Sequence, residues 1–180
     1  LVGPTVSLGV AQFNLGFPGT VSLRAATFMA VIGDYIRSLA RQGFERFYVL
    51  NGHGGNIAPV NAAIQDLHGD ASYRADRGNA PGIRCRLRSW WDYDKVDTMR
   101  HELYGEWEGM HATPSEIAIA QHAHPAVVRA VKLPKPEKIS EAAMRDLGGD
   151  RHNDADHHRR RFPDGRIGSD SSLATPEAGA

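Results

Sequence analysis

The sequence has 180 residues, of which 41% are hydrophobic, enough apolar material for the core of one ordinary domain. Lysine plus arginine equals aspartate plus glutamate at 21 each, so the chain lacks the basic surplus that binds nucleic acid. The single cysteine, Cys85, excludes an internal disulfide framework and fits a reducing compartment.

No stretch of sequence approaches the roughly 18 apolar residues that a membrane helix needs, and no secretory signal pattern is present. We therefore expect a cytoplasmic protein with no membrane partner and no nucleic-acid partner. The chain begins at Leu1 rather than at methionine, and the segment 171–180 stops at the predicted start of a helix. We interpret residues 1–180 as a single α/β domain that is incomplete at both ends.

The first half of the chain alternates predicted strands and helices. Residues 1–10 suit a buried strand, and Ser22 is the predicted N-cap of a helix that runs to Gly43. Arg46–Asn51 is predicted to be a buried parallel strand, and Ile57–His68 has the apolar spacing of a helix. This alternation predicts a parallel sheet covered by helices.

The second half of the chain is less regular. Ile83–Trp90 alternates like a strand with one exposed face, whereas residues 92–110 show no clean period. Thr113–Glu116 predicts the start of a short helix that ends near Ala123. The segment Gly148–Arg161 is rich in His, Asp and Arg, which favours a surface loop.

The segment Asn51–Asn56 carries a histidine between glycines directly after a predicted strand. Open parallel sheets bind ligands at the carboxyl ends of their strands, and the neutral imidazole of His53 suits a divalent metal. A tight turn with an incidental histidine and a glycine loop that cradles phosphate are the alternatives, and both stay open.

The segment Trp107–Glu116 places His111 in a loop and Glu116 at the third position of the following helix. Both side chains are candidates for one pocket. Glu116 is equally explained by a capping box with Thr113, which needs no active site, and His111 by a hydrogen-bonded loop histidine. The local pattern leaves both alternatives open.

Two further groups of residues attract attention but carry weaker signals. The segment 154–158 contains two aspartates and two adjacent histidines, and we favour a solvated loop over a metal site because three arginines follow. Trp90 and Trp91 suit either a pocket wall or the core.

Three motifs together resemble the creatininase family of amidohydrolases: Phe17–Ser22, Asn51–Asn56, and His111 followed by Glu116. They occur in the family's order, and the segment 165–177 also resembles the family, so the resemblance spans most of the chain. It implies a three-layer α/β/α fold with a mostly parallel central sheet.

The resemblance also implies a chemistry. The family has a two-metal site, with zinc, manganese or iron, that activates water to cleave a non-peptide carbon–nitrogen bond in a small-molecule amide. His53 matches a metal ligand, and His111 matches the histidine that passes a proton to the leaving nitrogen. Glu116 matches the acidic residue of that motif.

The substrate-binding residues follow from the same resemblance. Trp107 matches an aromatic residue of the pocket, and Ser22 lies in a loop that contacts substrate. We expect Gly54 and Glu108 to bind substrate as well. Family members are commonly homo-oligomers, so we expect that state here.

Two departures from the family pattern limit these expectations. In the family the other metal ligands come from an upstream Glu-x-His pair and an aspartate, and no equivalent of these upstream ligands precedes Leu1, so we expect the chain alone to be inactive. Creatininase proper has a ligating glutamate where this sequence has Gly55, which disfavours creatinine and favours a related amide, cyclic amide or formamide.

Two other functions compete with the hydrolase. A nucleotide- or phosphate-binding module is suggested by the glycine loop between strand and helix, although the loop lacks the Lys-Ser/Thr of a P-loop. A non-catalytic scaffold with the creatininase fold is suggested by the missing ligands.

Overall fold

The computed structural model describes residues 1–73, 82–129, 131–147 and 154–180. The chain divides into two compact units, Leu1–Asp92 and Tyr93–Ala180, and each is described by itself. The single domain over residues 1–180 remains a prediction.

The first unit contains two long helices and two strands. Helix α1 spans Ala25–Arg41, strand β1 Arg46–Asn51, helix α2 Ile57–Tyr73 and strand β2 Arg84–Ser89. The two strands pair in parallel, from Arg46 opposite Arg84 to Asn51 opposite Ser89. The two predicted helices, the predicted strands near Arg46–Asn51 and Ile83–Trp90 and their parallel pairing are confirmed. These elements have local hydrophobic periods that the fold preserves.

The core of the first unit lies between the helices and one face of the sheet. The buried residues of α1 are spaced by one turn and contact those of α2. Strand side chains that point to the helices pack against both. The cluster includes Phe28, Ile32, Ile36, Val60, Ala63, Leu67, Phe47, Val49, Cys85 and Leu87. Tyr48 and Leu50 point the other way and are 54% and 63% exposed. The prediction that β1 is a buried strand is therefore wrong for its outer face, because successive side chains alternate between faces and only one face packs against α1 and α2.

Two predictions at the start of the chain are also wrong. Residues 1–10 form no strand, and only Val10 is buried, whereas Leu1 and Val2 are fully exposed. Helix α1 has Arg24 rather than Ser22 as its N-cap residue. The hydroxyl of Ser22 instead accepts a hydrogen bond from the amide of Ala11 at 2.8 Å, so it is committed to a loop contact.

The described residues of the second unit contain four helices. They are α3 (Asp94–Tyr104), α4 (Pro114–Ala123), α5 (Glu141–Leu147) and α6 (Ala155–Arg161). A single antiparallel bridge joins His111 to Ile167 among the described residues. Helix α4 confirms the prediction, while α3 was missed because its sequence is mostly charged and has no clean apolar stripe.

The predicted loop at Gly148–Arg161 is wrong for its second part. Residues 155–161 form α6, which begins after Asp154, whose side chain accepts a hydrogen bond from the amide of His157 at 2.9 Å. This N-cap and the buried His158 stabilise a helix that composition alone did not indicate. Residues 148–153 of the predicted loop lie outside the described residues.

None of the helices in the described part of the chain is long and apolar enough to cross a membrane.

Candidate active-site residues

The histidine loop of the first unit is organised by Asn51, the last residue of β1. Its side-chain nitrogen donates to the carbonyl of His53 at 2.8 Å and to the hydroxyl of Ser89 at 3.1 Å. Its side-chain oxygen accepts from the amide of His53 and from the side chain of Asn56, both at 3.2 Å. Because both donors and both acceptors of this buried amide are used, the strand end and the loop are locked together.

The same loop is tied to the chain segment before α1. Asn56 accepts a hydrogen bond from the amide of Val10 at 2.9 Å. A Cβ atom added to Gly55 would overlap the carbonyl oxygen of Val10. The position where creatininase proper has a glutamate therefore has no room for a side chain unless Val10 moves.

We expect Gly55→Ala to lower the free energy of unfolding by about 1–3 kcal/mol, because overpacking forces the Val10 backbone away. Urea unfolding followed by circular dichroism measures this loss. Gly52→Ala is the matched control, because a Cβ atom there meets no described atom within 4 Å. Equal stability of the two variants would contradict the close approach.

His53 lies in extended backbone immediately before a short 3-10 turn, Gly54–Asn56. Its ring stacks on that of Phe13, with centroids 6.1 Å apart and planes 20° apart. Gly54 is exposed, and Ser22 is partly buried. The predicted roles of these residues in metal and substrate binding stay predictions.

The described residues do not by themselves fit a metal centre. Among residues 1–73, 82–129, 131–147 and 154–180, no three His, Cys, Asp or Glu side chains come together as a metal would require. His53 is the candidate ligand that the first unit offers.

The loop that carries His111 in the second unit is held from both sides by backbone bonds. The amide of Met110 donates to the carbonyl of Ile167 at 2.9 Å, and the amide of Ile167 donates to the carbonyl of His111 at 3.2 Å. Gly109 has φ of +64°, and a Cβ atom there would lie 2.5 Å from the Gly168 backbone, so only glycine fits.

The residue after His111 adopts a backbone conformation that non-glycine residues rarely adopt. Ala112 has φ of +52°, and its carbonyl accepts hydrogen bonds from the hydroxyls of Ser171 at 2.5 Å and Ser169 at 3.3 Å. Such strain persists only where surrounding contacts enforce it, and it is common at functional sites. Here the two serine hydroxyls hold this conformation directly after His111.

The imidazole of His111 has a defined tautomer when neutral. Its Nδ1 lies 2.5 Å from the carbonyl oxygen of Gly165. Because a carbonyl oxygen can only accept, Nδ1 carries the proton and Nε2 keeps its lone pair. The ring is thereby prepared to exchange a proton through Nε2.

Glu116 takes part in the predicted capping box, which is confirmed. Its carboxylate accepts from the amide of Thr113 at 3.0 Å, and the hydroxyl of Thr113 accepts from the amide of Glu116 at 3.1 Å. One oxygen of the carboxylate thus stabilises the start of α4. A role for Glu116 in the chemistry stays a prediction.

Glu108 is buried, at 5% exposure, in a polar cluster of the second unit. One of its oxygens accepts from Nε of Arg100 at 2.8 Å and from the hydroxyl of Ser115. Burial and the nearby Glu108 charge raise the pKa of the Tyr104 hydroxyl. The predicted substrate-binding role of Glu108 stays a prediction, and the structure adds a structural role that the sequence did not indicate.

The aromatic candidates are partly exposed. Trp107 lies under the ammonium group of Lys138, which is 5.0 Å from the ring centroid, and its carbonyl accepts from the amide of Asp170 at 2.9 Å. Trp90 and Trp91 contact each other edge to face at 5.6 Å in the turn after β2.

His158, which the sequence interpretation placed in a solvated loop, is buried beside His111. It is 3% exposed, and its ring meets that of His111 with centroids 6.1 Å apart and planes 87° apart. The sequence did contain a pattern that could have predicted this burial, since His158 and Phe162 are four residues apart and thus lie on one face of a helix.

Comparison with protein families gives one match over the whole chain. The family model described as "Creatininase: Creatinine amidohydrolase" matches residues 1–180. The creatinine amidohydrolase of Pseudomonas putida is 28% identical over 120 residues, which cover 62% of this chain and 43% of that protein. The mycofactocin precursor peptide peptidase of Mycolicibacterium smegmatis is 39% identical over 64 residues, 36% of this chain and 26% of that protein.

Solved structures give the same family. A creatininase with a tryptophan-to-phenylalanine mutation superposes with a TM-score of 0.64 at 26% identity, covering 94% of this chain and 64% of that one. A structure named "Creatininase Mn" gives a TM-score of 0.62 at 26% identity, covering 91% of this chain and 60% of that one. These likenesses confirm the predicted α/β fold class. The chain spans less than two thirds of the length of each of these relatives.

Proposed function

Because this chain belongs to the creatininase family, we propose that it forms part of a metal-dependent hydrolase that cleaves an amide bond. The names of the P. putida relative and of the manganese structure support an amidohydrolase and a divalent metal. The observation that carries the proposal is the His111 loop, in which a strained backbone and a carbonyl acceptor hold an imidazole ready for proton transfer.

We assign His111 the role of proton carrier. With Nδ1 bonded to Gly165, Nε2 is the atom that accepts a proton from an attacking water or returns one to the leaving nitrogen. Trp107 and Glu108 lie four and three residues before His111, and the proposal places them at the substrate side of the loop. Glu116 supports the same loop through its cap on α4.

We propose that His53 is one ligand of the metal site and that the other ligands lie outside the described residues. A divalent ion, when bound, lowers the pKa of a bound water and polarises a carbonyl. The histidine loop suits this role because Asn51 fixes its backbone on both sides of His53.

We propose a small amide, a cyclic amide or a formamide as the substrate. Gly55 distinguishes this loop from that of creatininase proper, and the close approach of Val10 prevents a side chain there from serving as a ligand. One relative is named a peptide peptidase, so short peptides belong in the same substrate screen. A homo-oligomer, which rests on the resemblance alone, and a cytoplasmic location, which rests on the single cysteine and the resemblance, complete the proposal.

Elemental analysis combined with a hydrolysis screen tests this function. The full-length protein is dialysed against chelator, reconstituted with zinc or manganese, and assayed on small amides, cyclic amides, formamides and short peptides. Retained metal with metal-dependent hydrolysis is the expected result. If neither metal nor turnover is found, the non-catalytic scaffold replaces the hydrolase; stabilisation by nucleotides in a thermal-shift assay would instead favour the phosphate-binding module.

A further inference from the structure

His158 occupies a buried position in α6, directly beside the candidate proton carrier. Its ring contacts His111 edge to face at 6.1 Å, and it contacts Phe162, one turn later, at 5.3 Å. We propose that His158 is a positioning residue that holds the imidazole of His111 in its proton-transfer orientation. This inference rests on the proposed function of His111.

Burial of an imidazole at this place needs a physical reason. A polar ring removed from water costs free energy that an apolar side chain of similar size would not. Edge-to-face contact between aromatic rings recovers part of that cost and is directional, because it depends on the angle between the planes. The 87° angle between the rings of His158 and His111 matches such a contact.

The contact with His158 complements the hydrogen bond between His111 and Gly165. That bond fixes one edge of the His111 ring, and rotation about Cβ–Cγ would break it by moving Nδ1 away from the carbonyl. The His158 ring stands beside the His111 ring and opposes this rotation by occupying the adjacent space. Together the two contacts restrain both the tautomer and the plane of the ring.

One segment of chain delivers both restraints. His158 and Gly165 are joined through Phe162, whose amide donates to the carbonyl of His158 at 2.8 Å and whose carbonyl accepts from Gly165 at 3.0 Å. The segment is anchored by Arg161, which pairs with both carboxylate oxygens of Glu137 at 2.8 and 3.0 Å. The ring and the carbonyl that contact His111 therefore come from one hydrogen-bonded segment.

The test measures solvent exchange of the His111 Nδ1–H by NMR, relative to exchange of the Ile167 amide, which bonds to the carbonyl of His111. His158→Leu removes the ring and keeps an apolar side chain. We therefore expect the ratio of the Nδ1–H exchange rate to the Ile167 amide exchange rate to rise by about tenfold, the effect of losing one edge-to-face contact. His158→Phe keeps a ring and should restore slow exchange. His157→Leu, one exposed position earlier, is the matched control and should change nothing.

Several results would overturn the proposal. An unchanged ratio in His158→Leu would show that the ring does not restrain His111, and parallel acceleration of Nδ1–H and Ile167 exchange would show a merely structural role. If His158→Leu does not fold, His158→Gln replaces it and should also raise the ratio, since it lacks a ring. No substrate is needed, so a protein that hydrolyses no amide would refute the proposed function while this test still decides the role of His158.

Discussion

Replacing His111 with asparagine is expected to lower kcat for amide hydrolysis by about 100- to 10,000-fold, the usual contribution of a general acid or base. The asparagine side-chain nitrogen reaches the position of Nδ1 and keeps a donor for the carbonyl of Gly165. It offers nothing at the position of Nε2, so proton transfer is lost while the loop is retained. Steady-state kinetics on the best amide of the screen measures the effect.

The control for this variant is the same substitution at His101 in α3. The side chain of His101 is 68% exposed, and its Nδ1 likewise lies 2.8 Å from a backbone carbonyl, that of Asp97. His101→Asn should leave kcat within a factor of about two, because an exposed surface change rarely affects chemistry. If His111→Asn retains wild-type kcat and stability, His111 is not the proton carrier.

Replacing Glu108 with alanine is expected to lower the free energy of unfolding by about 3 kcal/mol, because the change removes the buried carboxylate that pairs with the mostly buried guanidinium of Arg100. The side chain of Arg100 is 15% exposed and that of Glu108 is 7% exposed, with 2.8 Å between the paired atoms. The hydroxyl of Ser115 loses its acceptor as well. Urea unfolding of the whole chain, followed by circular dichroism, measures the loss.

A surface ion pair provides the comparison for Glu108. Glu106 pairs with Lys138 at 2.5 Å, but the two side chains are 66% and 61% exposed. Glu106→Ala should therefore cost less than about 1 kcal/mol, because water screens the charges. A loss in Glu108→Ala no larger than that in Glu106→Ala would mean that the buried cluster does not stabilise the unit.

The elements that rest on local patterns were predicted from the sequence. Helices α1 and α2 follow from apolar residues at helical spacing, and α4 follows from a capping box and a proline at its first position. Helices α3 and α6 were not predicted, because their charged sequences carry no periodic apolar stripe. Residues 1–10 show the opposite error, since apolar composition alone does not supply a strand partner.

The candidate site also has features that the sequence predicts and features that only the structure shows. The sequence by itself determined the residue types and their order, namely a histidine between glycines after a strand, and a histidine followed five residues later by a capping glutamate. Those patterns were enough to indicate the family, which the match over residues 1–180 confirms. They are local, so they can be read without knowing what packs against them.

Only the tertiary structure decided how these residues are held. The tautomer of His111 depends on Gly165, 54 residues away, and the space at Gly55 depends on the backbone of Val10. His158 is buried and contacts His111, although the composition of its segment predicts a solvated loop. Contacts between residues far apart in sequence are fixed by packing and hydrogen bonding of whole elements, and no local period or spacing encodes them.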